Sequence, residues 1–186
     1  MVMSPDHAMQ NVQRKNIGGI VRPPHRPTGG VAPGPNPAGA HGRDDLLPRA
    51  GEDLCYLTGD WRIFQRVDGH RYSLDDVATA WFAAESAIAR GINVHRAADI
   101  GCGIGSVLMM TAWRFPNARI IGVEAQPLSV DLARRSLAYN GADDRCEVRA
   151  GDLRDPAHIP EGGAFDLVTG TPPYFPPGNG TVSSRP

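Results

Sequence analysis

The sequence predicts an α/β fold with a doubly wound, mostly parallel sheet that is covered by helices on both faces. From residue 97 onward, short apolar runs alternate with segments of helical periodicity. Such an alternation is typical of parallel sheets with crossover helices. The short runs are apolar at consecutive positions, which indicates strands buried on both faces.

The first fifty residues are predicted to form a disordered tail. Prolines recur between Pro5 and Pro48, with glycines among them. Such a segment buries too little apolar surface to offset the entropy lost on ordering. A basic arm that contacts RNA is the functional alternative for this tail. Residues 51–186 are predicted to be the folded domain.

Two elements are predicted before the alternating region. The segment WRIFQRVDGHRYS is predicted to form two extended runs around a tight turn at Asp68-Gly69. A helix follows, because Ser73 and Asp76 have the spacing of a capping box and apolar residues recur at 77, 81, 84 and 88. Gly91 is predicted to end this helix.

Four strands and two helices are predicted in the alternating region. The strands cover 97–100, 118–125, 145–151 and 165–170, and the helices cover 106–114 and 127–141. Trp81 and Trp113 are predicted to pack in the core. The parallel series has only these four strands, so we expect a sheet that is truncated after its fourth strand.

Composition excludes several classes of protein. The net charge of −1 gives no global attraction to nucleic acid or to an anionic membrane. No apolar run is long enough to span a membrane, and the N-terminus has no secretory signal. Cys55, Cys102 and Cys146 are too few and too widely spaced for a disulfide framework, which favours a cytoplasmic protein. No metal site is predicted, and Cys102 is expected to be a small packing residue.

A glycine-rich loop follows the first strand of the series. AADIGCGIGS places Asp99 beside three alternating glycines, which allow a ligand to approach the backbone at a helix N-terminus. The sixth position counted from Gly101 is Ser106, whereas the dinucleotide fingerprint requires glycine or a close substitute there. Asp99 would repel a pyrophosphate but attract an ammonium group.

Carboxylates also follow the next two strands. Glu124 lies where it can accept hydrogen bonds from both hydroxyls of a ribose, and Asp152 lies where it can meet an adenine edge. An ammonium group, a ribose and an adenine without a phosphate together describe S-adenosylmethionine. The structural alternative is that Asp99 caps a turn and Glu124 is a solvated strand end.

The motifs DIGCGIG, GVEAQ and AGDLRD resemble those of class I S-adenosylmethionine-dependent methyltransferases over about residues 61–177. The resemblance implies a Rossmann-like methyltransferase sheet, and it implies S-adenosylmethionine as the cofactor. It places the amino-acid end on the glycine loop, the ribose near the second strand and the adenine near the third. The implied cofactor-binding residues are Asp99, Gly101, Gly103, Gly105, Glu124, Ala125, Gln126, Asp152 and Leu153.

The fourth strand ends in an unusual segment, TPPYF. Adjacent prolines end a strand because each lacks an N–H, and they fix a backbone carbonyl at the sheet edge where ligands bind. The segment resembles the Asp/Asn-Pro-Pro-Tyr motif of amino methyltransferases, which act on adenine amines or glutamine amides. In that resemblance Thr171 takes the Asp/Asn position, Pro172 and Pro173 follow, and Tyr174 stacks on the substrate.

The same segment is similar to that of bacterial methyltransferases that modify an adenine beside the anticodon of a valine tRNA. This similarity implies a tRNA substrate for the chain. Thr171 departs from the motif, because its hydroxyl is shorter and less polar than an amide. Three alternatives remain: a glutamine-amide protein methyltransferase, an inactive cofactor-binding fragment, and a nicotinamide-dependent oxidoreductase.

Overall fold

The computed structural model describes residues 19–22, 33–155, 158 and 165–172. In these residues the strands are β1 (Ile20–Val21), β2 (Glu52–Thr58), β3 (Trp61–Arg66), β4 (Arg96–Ile100), β5 (Arg119–Glu124), β6 (Cys146–Ala150) and β7 (Leu167–Thr169). The α-helices are α1 (Leu74–Ala89), α2 (Ser106–Arg114) and α3 (Pro127–Asn140), and a short 3-10 helix covers Asp44–Leu46.

The main sheet is parallel, and its strand order is β6-β5-β4-β7. Asp99 on β4 pairs with Gly122 on β5 and with Thr169 on β7. The carboxyl ends of all four strands therefore meet at one edge, and the glycine loop follows β4 at that edge. This arrangement confirms the predicted α/β fold and its predicted strands.

The hydrophobic core of the described residues lies on one face of this sheet. Ala97, Ile120 and Val148 belong to a buried cluster that also contains Leu108 of α2 and Leu132 of α3. The opposite face carries half-exposed apolar side chains, with Ile100 at 46% and Val168 at 54% exposure.

The small sheet has the order β1-β2-β3, in which β2 and β3 are antiparallel. Of the two extended runs predicted around Asp68-Gly69, the first is confirmed as β3, whereas the second is wrong, because residues 70–73 form no strand and β3 pairs with the strand before it. The other edge of β3 is occupied by side chains of α3. Asn140 Oδ1 accepts a hydrogen bond from the Arg62 N–H at 2.8 Å, and Ser136 Oγ accepts one from the Phe64 N–H at 2.9 Å. Side chains of α3 therefore take the place of a paired strand at Arg62 and Phe64.

Part of the predicted tail belongs to the folded domain. Leu46 and Leu47 are 2% and 3% exposed in the main core. Arg135 of α3, itself buried against Glu52, donates hydrogen bonds to the carbonyls of Asp45 and Leu47. The prediction of disorder over 1–50 is thus wrong for residues 19–22, which include β1, and for residues 33–50, where a buried arginine supplies the polar partners that the irregular segment needs. Residues 1–18 and 23–32 lie outside the described residues.

The buried face of α1 also differs from the prediction. Ala80, Ala84 and Ala87 are buried, whereas Trp81 is 65% exposed, so the prediction that Trp81 packs in the core is wrong. Ala80 packs directly against Val107 and Met110 of α2. This close contact leaves room only for small side chains on the face of α1 that is turned towards α2. Trp113, by contrast, packs against the core as predicted.

Candidate functional site

The glycine loop joins β4 to α2 in a conformation that requires its glycines. Gly101, Gly103 and Gly105 have φ values of 67°, 55° and 85°, in the left-handed region that residues with a Cβ rarely adopt. A Cβ on Gly105 would also lie 3.1 Å from Cβ of Ala133 on α3. The loop backbone therefore lies close to α3, at the N-terminus of α2.

Glu124 fixes this loop to the end of β5. Its side chain is 8% exposed, so the alternative that Glu124 is a solvated strand end is wrong. Glu124 Oε2 accepts a hydrogen bond from the Gly103 N–H at 2.9 Å, and Oε1 accepts one from the Gln126 N–H at 2.7 Å. Each carboxylate oxygen can accept a second hydrogen bond, so these contacts leave capacity for a ligand. Sequence reasoning missed this structural role of Glu124.

Asp99 is the most deeply buried carboxylate at the loop, with 2% exposure. Its Oδ1 accepts a hydrogen bond from Thr169 Oγ1 at 2.8 Å, while its Oδ2 is buried without a partner among the described residues. Burial raises the pKa of Asp99 to about 6, and the Thr169 hydrogen bond opposes that rise. An unpartnered buried carboxylate oxygen costs free energy, which a cationic donor would offset.

Asp76 connects α1 to the same loop, a contact that sequence reasoning missed. Asp76 Oδ2 accepts hydrogen bonds at 3.0 Å from the Ser73 N–H and from Ser106 Oγ. The first bond is the predicted capping interaction, and the second reaches the first residue of α2. The negative charge of Asp76 also raises the pKa of Asp99. The capping-box spacing of Ser73 and Asp76 predicts the first hydrogen bond, but it carries no information about the second one, from Ser106.

Asp152 lies in a different environment at the end of β6. Its side chain is 39% exposed and paired with Arg154, whose hydrogen bond lowers the pKa of Asp152 to about 2. The preceding Gly151 N–H donates to the carbonyl of Glu124 at 2.9 Å, so this strand end lies beside that of β5. Leu153 is 37% exposed.

The sequence model of a family described as methyltransferase domain matches residues 97–177, which include the glycine loop and the ends of β5, β6 and β7. This match supports a class I S-adenosylmethionine-dependent methyltransferase domain over these residues. The match begins on β4 and covers every strand of the main sheet.

The chain is similar to methyltransferases that are named for different substrates. It is 36% identical over 107 residues to the tRNA1(Val) (adenine(37)-N6)-methyltransferase of Porphyromonas gingivalis, covering 56% of this chain and 41% of the relative. It is 40% identical over 81 residues to the release factor glutamine methyltransferase of Mycolicibacterium smegmatis, covering 43% of this chain and 27% of the relative. The chain thus spans less than half the length of these relatives.

A solved structure of TYW2 from P. horikoshii in complex with MeSAdo matches with a TM-score of 0.47 and 20% identity. The match covers 56% of this chain and 38% of that one.

The matched methyltransferase domain supports S-adenosylmethionine as the cofactor, and the residues around the glycine loop fit it. Asp76, Asp99 and Glu124 place three buried carboxylates at the base of the loop. Such a concentration of negative charge disfavours a pyrophosphate and favours a cation. The same charges argue against the nicotinamide-dependent alternative. The unpartnered Asp99 Oδ2 can accept a hydrogen bond from an ammonium group.

The segment that is predicted to bind the substrate begins beside this loop. Thr171 and Pro172 follow β7, the strand that pairs with β4 on the side away from β5. A Cβ on the intervening Gly170 would lie 2.8 Å from Ile100, so the chain leaves β7 close to the end of β4. Pro173 and Tyr174 lie outside the described residues.

Cys102, the remaining titratable group within the loop, has a structural role. Cys102 is buried, and Gly122 provides the space for it, because a Cβ there would lie 2.6 Å from the Cys102 sulfur. Burial raises the pKa of the Cys102 thiol well above its usual range. This confirms the prediction of a packing role. Among the described residues, no group of three or more His, Cys, Asp or Glu side chains is placed so that it could hold a metal ion, and no helix is long and apolar enough to cross a membrane.

Proposed function

We propose that this protein transfers a methyl group from S-adenosylmethionine to the exocyclic amine of an adenine in tRNA. The observation that carries the proposal is the buried Asp99 carboxylate, whose unpartnered oxygen lies at a glycine loop between two further carboxylates. The strand beside it brings Thr171 and Pro172 to the same sheet edge. Similarity to a relative named as a tRNA adenine-N6 methyltransferase supports the substrate.

In this proposal the acidic strand ends bind the cofactor. The loop of Asp99, Gly101, Gly103 and Gly105 holds the amino-acid end, with Asp99 on the ammonium group. Glu124, Ala125 and Gln126 lie at the ribose, and Asp152 with Leu153 lies at the adenine. When bound, S-adenosylmethionine supplies an electrophilic methyl group on its sulfonium.

The residues after β7 hold the substrate amine. The Thr171 hydroxyl accepts one hydrogen bond from the amine, and the carbonyl of Pro172 accepts the other. Pro173 keeps that carbonyl in place, because a proline after it restricts the backbone. Tyr174 stacks on the adenine ring. Alignment of the amine with the methyl group supplies most of the rate, since the reaction needs little acid–base chemistry.

A glutamine amide of a protein is the second candidate substrate. It is favoured by the 40% identity over 81 residues to a relative named as a release factor glutamine methyltransferase. An amide and an adenine both present a planar –NH₂ group, so the same hydrogen-bond acceptors suit either substrate. The free state of Cys55, Cys102 and Cys146 is compatible with a cytoplasmic protein, where both kinds of substrate occur.

The substrate is tested by offering both kinds of macromolecule at once. The protein is incubated with radiolabelled S-adenosylmethionine, total bacterial tRNA and a bacterial release factor, and the label is traced by nucleoside and amino-acid analysis. We expect N6-methyladenosine in tRNA, and Thr171→Asn is expected to raise its yield because an amide is the motif's usual acceptor. Label in the release factor alone would favour the second candidate. Cofactor binding without transfer to either would contradict both substrates and leave a cofactor-binding protein.

A further inference from the structure

The face that α1 turns to solvent is almost entirely apolar. Its large exposed side chains are Leu74, Val77, Trp81, Phe82 and Ile88, and Phe82 is 68% exposed. From residue 77 to residue 89 the sequence contains a single charged residue, Glu85. A helix face in contact with water is normally polar. A contiguous apolar patch along a whole helix is typical of a surface that binds another protein.

This apolar face lies beside the open edge of the main sheet. On one side Ala80 packs against α2, and α1 also contacts β7. β7 is the last strand in the order β6-β5-β4-β7, so within residues 19–22, 33–155, 158 and 165–172 its outer edge pairs with no strand. Such an edge presents N–H and C=O groups that can pair with another strand. An apolar helix and an open strand edge are therefore neighbours.

The charges of α1 indicate which partner this surface fits. Asp75 and Asp76 lie in the first turn, Glu85 lies further along, and Arg90 follows the last turn. This excess of negative charge disfavours a nucleic acid or an anionic membrane. A second α1 in the antiparallel direction would place Arg90 of each copy beside Asp75 of the other, and the two helix dipoles would oppose each other. The charges thus suit a second copy of the same helix.

We propose that this surface is the interface of a symmetric dimer, in which β7 pairs with β7 and α1 packs against α1 of a second copy. A twofold axis perpendicular to the sheet makes the two β7 strands antiparallel and leaves both α1 helices on the same face. Packed helices lie about 8–10 Å apart, about twice the spacing of adjacent strands, so one helix from each copy fits over the joined sheet. The two main sheets then form one continuous sheet. This inference does not depend on the proposed substrate.

The apolar face is large enough for such a dimer. Trp81 and Phe82 lie near the middle of α1, so the twofold axis brings the aromatic side chains of the two copies together. Burial of the five exposed apolar side chains of both copies removes about 1,000 Å² from water, which is close to the minimum for a specific interface. Pairing of the two β7 strands adds to this area.

Sedimentation equilibrium tests the dimer on the unmodified protein, Trp81→Glu and Leu128→Glu. Leu128 is an exposed apolar residue near the start of α3 and serves as the matched control. We expect twice the chain mass of 19.9 kDa for the unmodified protein and for Leu128→Glu. Trp81→Glu should raise the dissociation constant of the dimer about 100-fold or more, because it buries an unpaired carboxylate in each copy. A single-chain mass for the unmodified protein at every concentration, or equal masses for the two variants, would overturn the inference.

Disulfide cross-linking tests the direction of the two helices without a charged variant. Cys55 is first replaced by serine, because it is partly exposed, whereas Cys102 and Cys146 are buried. Phe82→Cys should then cross-link two copies on oxidation, since residue 82 lies near the twofold axis. Leu74→Cys should not, because antiparallel helices separate the two copies of residue 74 by about 25 Å. Cross-linking of both variants would indicate parallel helices, and cross-linking of neither would exclude the helix contact; either result contradicts the proposal.

Amide hydrogen exchange tests the strand pairing. The N–H groups of β7 should exchange more slowly in the unmodified dimer than in Trp81→Glu, because pairing with a second β7 protects the outer edge. Equal exchange rates in the two proteins would show that β7 does not pair across the interface, and the joined sheet would be wrong.

Discussion

The ends of β5 and β6 each carry a carboxylate at neighbouring positions of one sheet edge, yet the two carboxylates differ in burial and in their hydrogen-bond partners. Glu124 is 8% exposed, and both its oxygens accept backbone N–H groups. Asp152 has a 39% exposed side chain paired with Arg154. The comparison teaches that Glu124 is part of the framework of the glycine loop, whereas Asp152 is a surface carboxylate next to it.

The pKa values of Asp99 and Asp152 are shifted in opposite directions. Burial raises the pKa of Asp99 to about 6, whereas the Arg154 hydrogen bond lowers that of Asp152 to about 2. A carboxylate with a raised pKa and an unpartnered oxygen can respond to a ligand's positive charge. One that is already neutralised by a neighbouring arginine responds less.

Replacing Glu124 should have the largest effect. In Glu124→Gln the amide offers one acceptor in place of two and places an –NH₂ group against a backbone N–H. We expect the free energy of unfolding to fall by about 2–4 kcal/mol, and cofactor affinity to fall at least 30-fold. Urea denaturation and calorimetry measure the two quantities. Unchanged stability would show that Glu124 does not support the loop.

We expect the second-largest effect from the ionisation of Asp99, which should make both stability and cofactor affinity depend on pH. Because its pKa rises on folding from 3.8 to about 6, its contribution to stability is full below about pH 4 and is lost as the pH rises to about 6, a change of about 3 kcal/mol. Cofactor affinity should change in the opposite direction, rising about tenfold from pH 5 to pH 7.5 as the carboxylate ionises. Asp99→Asn should remove both dependences. A cofactor affinity that stays constant over this range would contradict the role of Asp99.

Thr169 tests how Asp99 is positioned. Thr169→Val keeps the shape of the side chain and removes the hydrogen bond of 2.8 Å to Asp99. The pKa of Asp99 should rise further, so cofactor affinity at pH 6.5 should fall about three- to tenfold and recover towards pH 8. Val168→Thr, at the half-exposed neighbouring position on the opposite face, is the control. Equal losses in both variants would point to a general effect on β7.

Asp152 should give the smallest effect on the fold. Asp152→Asn removes an exposed ion pair, so the melting temperature should stay within experimental error. Cofactor affinity should fall by less than tenfold, and equally for S-adenosylhomocysteine and 5′-methylthioadenosine, since the contact is with adenine. A drop in melting temperature comparable to that of Glu124→Gln would remove the distinction between the two strand ends.

The parts of the molecule that could be predicted from sequence are those governed by local patterns. The glycine loop and the strand-end positions of Asp99 and Glu124 follow from the alternation of strands and helices. The helix caps at Gly91 and Gly141 follow from the left-handed conformation that glycine permits, with φ values of 66° and 69°.

The parts that could not be predicted depend on contacts between distant residues. The pairing of β3 is decided by Asn140 and Ser136, more than seventy residues away. The order of residues 33–50 depends on Arg135, and the buried face of α1 depends on the side chains of α2. The hydrogen bonds from Thr169 to Asp99 and from Ser106 to Asp76 have no sequence signature for the same reason.

The central claim is that the sheet edge at Asp99 binds a cationic, phosphate-free adenosine compound. Calorimetric titration of the protein with S-adenosylmethionine, and separately with NADH, tests it most directly. We predict saturable binding of S-adenosylmethionine that is at least tenfold weaker in Asp99→Asn at pH 7.5, and no binding of NADH. Equal binding by the two proteins, or tighter binding of NADH, would contradict the account.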